Sequence, residues 1–341
     1  MAKKYLITGG AGFIGSNYAA RLIERGEQVT IYDNLSRPGS LVNLKWLDQK
    51  RSNSYKLINA DIRDFSTLQS SMANIDVIVH LAAQVAVTTS VINPKEDFEI
   101  NATGTFNVLE AARSCENKPI VIYASTNKVY GGMDEVEILE NERNYRYKDF
   151  PNGISENFPL DFHSPYGCSK GSGDQYVRDY YRIYGLPTVV MRQSCIYGPR
   201  QFGIEDQGWV AWFIIALLTG KQISIYGDGK QVRDLLYIDD LLDAYDLSID
   251  KIGDTAGEIF NVGGGSNNML SVWWEFAPIL EKLLGKKITV KWGDWRPGDQ
   301  KIYVSDITKI NQRIDWQPKF SVEEGIEKLF NWVQNNLELF K

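Results

Sequence analysis

A tyrosine and a lysine stand four residues apart in Ser164-Pro165-Tyr166-Gly167-Cys168-Ser169-Lys170. On a helix that spacing places both on one face. A free phenol titrates near ~10 and is a poor base at neutral pH, but a fixed ammonium beside it favours the phenolate. Tyr166 and Lys170 are therefore a candidate pair for taking a proton from a hydroxyl group. The same spacing also occurs on ordinary solvated helices, so its meaning depends on its surroundings. A second group lies near the N-terminus, Gly9-Gly10-Ala11-Gly12-Phe13-Ile14-Gly15, with Asp33 further on. Glycines so spaced let the backbone approach a pyrophosphate at a helix N-terminus. The later acid hydrogen-bonds a ribose diol and repels a 2′-phosphate. Read alone, the glycine run is a tight turn.

The elements around these residues decide between the readings. Lys3–Thr8 is a short apolar strand, Ser16–Arg25 reads as a helix, and Gln28–Tyr32 is a strand ending at Asp33. Strand, glycine turn, helix, strand and acid form a dinucleotide-binding unit. Asp33 selects NAD over NADP, although Arg37 leaves room for the latter. The alternation continues through Tyr55–Asn59, a helix near Phe65–Ala73, the strand Asp76–Leu81, a long helix Pro94–Glu116 and the strand Pro119–Ala124. Ser125-Thr126-Asn127 then falls at a strand's C-terminal edge, where open α/β sheets bind ligands. Gly131 to Phe162 reads as one long loop, and the Tyr166 helix runs to about Tyr184. The expected fold is α/β, a Rossmann-type doubly wound parallel sheet with a smaller, partly interleaved C-terminal α/β domain. Residues 1–192 would form the NAD domain, with returns near 234–262 and 302–312, and 193–341 mainly the substrate domain.

Composition narrows the classes. The 341 residues carry a net charge of -6 and no basic block, which gives no reason to expect nucleic acid as a partner. No apolar run of about 18 residues suggests a membrane span. Three scattered cysteines lack metal spacing and fit a reducing, cytoplasmic setting. With only two histidines, a multi-histidine metal site is excluded, and no metal is expected. His80, in an apolar strand, reads as a buried, satisfied side chain. His163 is a loop residue near the Tyr166 helix. Most of the tryptophans read as core or interface, with base stacking the sharper alternative.

Thr8–Gly15 as TGGAGFIG, Asp33-Asn34-Leu35, Asp61-Ile62, Leu81-Ala82-Ala83, Asn101 with Gly104-Thr105, Ser125-Thr126, Tyr166 with Lys170, and Arg233-Asp234 occur in one order. Together they resemble the extended short-chain dehydrogenase/reductase superfamily of nucleotide-sugar enzymes. The resemblance implies that Gly9, Gly12, Phe13, Ile14 and Gly15 hold the pyrophosphate of NAD. Asp33, Asn34, Ser36 and Arg37 would contact the adenosine ribose, and Asp61 with Ile62 the adenine. Leu81, Ala82 and Ala83 would line the cofactor, Asn101 would support the site, and Thr126, Tyr166 and Lys170 would be catalytic. Sugar 4,6-dehydratases of this superfamily carry an acidic pair where Asn127 and Lys128 stand here, so the equipment for eliminating water is missing. Many relatives also have asparagine at Cys195, and a thiol cannot replace an amide as donor.

The string Ser125–Gly131, the segment around Tyr166 and the stretch from Arg200 to Val210 are most similar to the family of CDP-sugar 2-epimerases of the CDP-paratose/CDP-tyvelose type. That implies a CDP-hexose substrate inverted at C2 through a 2-keto intermediate, with Asn127, Gln201, Arg233 and Arg296 as further substrate contacts. Guanidinium forks suit a diphosphate, the plainer alternative for each arginine being a surface ion pair. A 4-epimerase, a C2-epimerase of another nucleotide-hexose, and a non-catalytic NAD-binding regulator are the competing readings. A homodimer built on the helices Pro94–Glu116 and Tyr166–Tyr184 is expected by resemblance.

Overall fold

Short apolar strands alternate with helices through the first part of the chain, as the sequence pattern anticipates. The computed structural model describes residues 2–50, 54–296 and 299–340. Pro297 and Gly298 lie outside the described residues. The chain divides into two units. The first is Met1–Val129, Phe162–Arg192 and Leu242–Phe260, and the second is Tyr130–Asp161, Gln193–Leu241 and Asn261–Lys341.

The first unit is built on β1 (Lys4–Thr8), β2 (Gln28–Asp33), β3 (Tyr55–Asn59), β4 (Val77–His80) and β5 (Ile120–Thr126). With the strands Thr188–Gln193 and Ile259–Val262 they make a seven-stranded sheet. From one edge the order is Ile259–Val262, Thr188–Gln193, β5, β4, β1, β2, β3, and β3–β2, β2–β1, β1–β4 and β4–β5 all run parallel. Strands are added outward from β1 to β3 on one side and from β4 on the other, so the strand order switches between β1 and β4, and a crevice for a ligand is expected at their C-terminal ends. The Rossmann-type architecture expected from the sequence is the one observed.

Helices α1 (Phe13–Glu24), α2 (Ser40–Lys50), α3 (Phe65–Ser71), α4 (Val87–Ile92), α5 (Pro94–Phe98), α6 (Gly104–Arg113) and α7 (Ser164–Tyr184) complete this unit with the start of the helix Ile238–Asp250 displaced into the second. On one face of the sheet Leu6, Ile78, Val121 and Val190 pack with Leu68, Leu109 and Val177 from the helices. Each such buried aliphatic side chain contributes about 1.5–3 kcal/mol. Arg21 of α1 reaches Asp243 at 2.7 Å and Asp246 at 3.1 Å, and the Tyr18 hydroxyl donates to Asp246 at 3.0 Å. These contacts tie the Leu242–Phe260 return to α1.

Three expectations are corrected. Residues 130–161 belong to the second unit, and they are not one loop: Ile138–Glu140 pairs antiparallel with Tyr145–Tyr147. Ile138-Leu139-Glu140 and Tyr145-Arg146-Tyr147 are only three residues each, too short to show a strand's period. The return from the second half is 242–260, shorter than the expected 234–262, because Val232–Tyr237 pairs with Cys195–Tyr197 and Met269–Ser271. Residues 302–312 do not return, because Ile302–Tyr303 extends that same second sheet. In the second unit Trp273 is buried and Trp209 packs edge-on against Phe276, whereas Trp274 and Trp292 are exposed and stacked at 5.8 Å.

Candidate active site

At the C-terminal end of β1 the chain turns sharply. Gly9 has φ +68°, and a Cβ there would stand 2.7 Å from the Ala82 nitrogen. A Cβ on Gly15 would meet the Gly9 carbonyl at 2.5 Å, whereas one on Gly12 meets only that carbonyl, at 3.2 Å. The first two glycines let the turn fold on itself and against Ala82, and Gly12 leaves the mouth open. Helix α1 starts there without a side-chain cap, so its first N–H groups are available to an anion. The turn therefore fits a pyrophosphate by shape and by dipole. Asp33 accepts from the Ala11 and Leu35 nitrogens, at 3.0 and 2.8 Å. Burial raises its pKa, while those two hydrogen bonds and Arg37 oppose the rise. The bonds aim the carboxylate and leave each oxygen a lone pair for a ribose hydroxyl.

Beside Asp33, Asn34 donates to Asp61 at 3.0 Å, and Ser36 donates to the Asn34 amide oxygen at 2.7 Å. Arg63 grips Asp61 bidentately at 2.9 and 2.8 Å, and the Arg63 nitrogen adds a third bond. Its side-chain hydrogen bonds are the main reason that the Asp61 pKa falls to about 2. Arg63 had no role in the sequence reading. Its place directly after Asp61-Ile62 was the available signal. Ile62 is buried against Gly104, which fixes the end of the strand-to-helix connection.

The catalytic candidates come together on α7 and β5. Pro165 opens α7 with its fixed φ, and Ser164, in the left-handed region at φ +71°, accepts from the Gly167 nitrogen at 3.2 Å. Tyr166 and Lys170 are both buried. Thr126, the last residue of β5, hydrogen-bonds the Tyr166 phenol. Its hydroxyl also accepts from the Lys128 nitrogen at 3.2 Å. Lys170 Nζ donates to the Ala124 carbonyl at 2.6 Å and lies 4.3 Å from the centre of the Tyr123 ring. The electrostatics correct the sequence reading. Burial pushes the Tyr166 phenol up to about 12, with Asp97 raising it and Thr126 and Arg37 lowering it. Burial also pulls Lys170 down to about 7, against the opposing fields of Asp174 and Asp97. Desolvation outweighs the ammonium's expected action on the phenol, because the same dry environment that strengthens a field also penalises both charged forms.

A buried network supports this set. The expected long helix Pro94–Glu116 is broken by a π turn at Glu99–Thr103, a feature common near functional sites. Asn101 sits in that turn. Its amide donates to Gln84 O at 3.0 Å, Asp97 Oδ1 at 3.1 Å and Ser169 Oγ at 3.1 Å, and its oxygen accepts from the Gln84 nitrogen at 2.9 Å. Asn101 is thus bonded to α5, to α7 and to the segment after Ala83. His80 is buried, and its nitrogens meet Thr8 Oγ1 at 2.7 Å and Thr105 Oγ1 at 3.0 Å. Thr105 donates to the Asn101 carbonyl, and Thr8 accepts from the Leu81 and Ala82 nitrogens. This assigns the ring proton to Nε2. Burial, with Lys170 nearby, holds the His80 pKa near about 3.

The remaining expected residues lie elsewhere. Asn127 follows Thr126 and is buried, whereas Gln201, Arg233 and Arg296 belong to the second unit. Gln201 donates to the Ile196 carbonyl at 3.2 Å. Arg233 pairs with Asp299 at 2.9 Å. Arg296 lies 3.2 Å from Asp206, 3.8 Å from Glu205 and 3.9 Å over the Tyr226 ring.

Comparison with known proteins decides the family. Residues 6–329 match the model of GDP-mannose 4,6 dehydratase. The chain belongs to that family. It is 43% identical over 339 residues to CDP-paratose 2-epimerase of Salmonella typhi, covering 97% of this chain and 99% of that one. Its fold is similar to UDP-glucose 4-epimerase of Thermotoga maritima with UDP-glucose, with TM-score 0.83, 30% identity and coverage of 98% and 99%. It is equally similar to a double mutant of the dTDP-glucose 4,6-dehydratase DesIV of Streptomyces venezuelae with NAD and DAU bound, with TM-score 0.84, 30% identity and coverage of 99% and 100%. The proteins it is similar to include both nucleotide-sugar epimerases and dehydratases. The short-chain dehydrogenase/reductase resemblance read from the motifs agrees with the match.

Proposed function

We propose that this protein is an NAD-dependent epimerase that inverts C2 of a CDP-hexose of the CDP-paratose/CDP-tyvelose type. The observation that supports this most is the full-length match to a CDP-paratose 2-epimerase, joined to an amide and an ammonium, Asn127 and Lys128, directly after Thr126. In this reading Gly9, Gly12, Phe13, Ile14 and Gly15 hold the pyrophosphate, and Asp33, Asn34, Ser36 and Arg37 take the ribose. Asp61 and Ile62 hold the adenine, and Leu81, Ala82 and Ala83 line the cofactor. NAD⁺, when bound, would supply the acceptor for the hydride of the sugar carbon and the donor for its return. Tyr166 removes the C2 hydroxyl proton, Thr126 hydrogen-bonds the same oxygen, and Lys170 supplies a positive field and binds the nicotinamide ribose. The resulting ketone turns over in the site, and Tyr166 gives its proton back to the inverted alcohol. Atoms and electrons balance without net redox change. Asn127 and Gln201 contact the sugar. Arg233 and Arg296 exchange their carboxylate partners for diphosphate oxygens. The enzyme works as a cytoplasmic homodimer, a setting compatible with three free cysteines.

Incubation of the purified protein with CDP-, UDP- and GDP-hexoses, followed by resolution of the sugars, tests the reading. Inversion at C2 of a CDP-sugar is expected. Inversion only at C4 would replace it with the 4-epimerase reading, and a 4-keto-6-deoxy product would restore the dehydratase.

A further inference from the structure

Helix α2 buries four positions, Ser40, Asn43, Leu44 and Leu47. That spacing is the inward stripe of an amphipathic helix, and Asn43 interrupts it with an amide on a residue that is 1% exposed. Its Nδ2 donates to the Ala11 carbonyl at 3.1 Å. Its Oδ1 is buried and has no hydrogen-bond partner among the described residues. Turning the amide over would set its oxygen against the Ala11 oxygen and forfeit that bond, so the chemistry of the pair fixes its orientation. A leucine of similar size would fill the space without an orphaned oxygen, which is costly to bury. The amide thus calls for an explanation beyond packing, and the group it acts on is the Ala11 carbonyl.

Ala11 lies in the middle of the glycine turn and is fully buried. Its nitrogen donates to Asp33 Oδ2 at 3.0 Å, so the end of β2 grips it on one side and α2 on the other. The Ala11 carbonyl and the Gly12 nitrogen are the two ends of one peptide group. Gly12 has no Cβ to resist rotation of that group, and a Cβ there would meet only the Gly9 carbonyl, at 3.2 Å. In the arrangement observed, the Gly12 nitrogen donates to the Gly9 carbonyl at 3.1 Å, and the Ala11 oxygen faces the interior. Rotation by half a turn would break both bonds and direct the oxygen away from α2, toward the open side of the turn. A carbonyl oxygen there repels the anion that the N–H groups at the start of α1 attract.

We propose that Asn43 is a positioning residue of the dinucleotide site, whose amide holds the Ala11–Gly12 peptide with its carbonyl turned inward so that the glycine turn offers N–H groups alone to a pyrophosphate. This rests on the reading of Gly9 to Gly15 as the pyrophosphate cradle. Asn43 acts through the backbone and touches no part of the nucleotide. Its loss therefore falls on ligands that carry the pyrophosphate and spares a nucleoside that lacks it. A general loosening of the fold would weaken both alike.

The test measures binding of NADH by its fluorescence, with ADP-ribose and adenosine as competitors, and needs no sugar substrate. In Asn43→Leu the Kd for NADH and for ADP-ribose should rise about tenfold, the size of one lost hydrogen bond. The Kd for adenosine, which has the ribose diol and no phosphate, should change less than about twofold, because Asp33 keeps its own bond to the Leu35 nitrogen. Urea unfolding without nucleotide checks that the variant is folded. If Asn43→Leu does not fold, Asn43→Ala removes the same donor and is measured in its place. Unchanged affinity for NADH, or adenosine weakened as much as ADP-ribose, would overturn the assignment. A parent protein that binds no NADH would instead remove the dinucleotide reading of the turn, and the role of Asn43 with it.

Discussion

Burial is the first reason that the Tyr166 phenol is pushed up to about 12. Thr126 and Arg37 pull that value down, and Asp97 pushes it up. To accept the substrate's hydroxyl proton the phenol must first release its own, a step that the positive charge of bound NAD⁺ nearby would favour. Tyr166→Phe should cut turnover by at least about 10²–10⁴-fold. Binding of NAD, followed by fluorescence quenching, should be retained because the hydroxyl contributes nothing to the glycine turn. Undiminished turnover would remove Tyr166 from the chemistry. At this scale the sequence was informative where spacing carries the meaning. Tyr166 with Lys170, and Gly9 to Gly15 with Asp33, were readable without coordinates. Asp97 was not, because within Pro94-Lys95-Glu96-Asp97-Phe98 it resembles one more charge on a solvated face. Only the fold reveals that this position turns inward toward Ser169.

Helix α7 holds the site together as an element. Asp174, on the same helix, accepts from Ser125 at 2.6 Å and from Arg192 on the strand Thr188–Gln193. The ion pair is 2% and 0% exposed. It locks α7 to two neighbouring strands and so fixes Lys170 below the end of β5. Removing one partner leaves a buried, unpaired charge, so Arg192→Leu should destabilise the fold by about 3–5 kcal/mol, read by urea unfolding. The double change Arg192→Leu with Asp174→Leu should recover most of that loss. The strand–helix alternation of this unit was legible because each strand is a short apolar run bounded by turn residues. The π turn was not, since Pro94–Glu116 keeps helical periodicity through Asn101. The hairpin Ile138–Tyr147 was also missed, its strands being too short to show a period.

For the whole molecule, α4 to α7 each carry exposed apolar or aromatic side chains. Ile92 is 84% exposed and Phe98 56%, and Phe106 meets Tyr176 edge-on at 5.9 Å. A patch of this kind marks an association surface, which supports the dimer proposed from the two long helices. Phe106→Glu with Tyr176→Glu should convert the dimer to monomer in analytical ultracentrifugation. Unchanged sedimentation would move the interface elsewhere. In the proposed reaction one hydride leaves C2 of the sugar and returns to the same carbon. A CDP-hexose deuterated at C2 tests it most directly when its product is read by NMR. An inverted C2 that keeps its deuterium, with none lost to water, is the expected result. Deuterium washed out at C2, or kept there while C4 inverts, would contradict it.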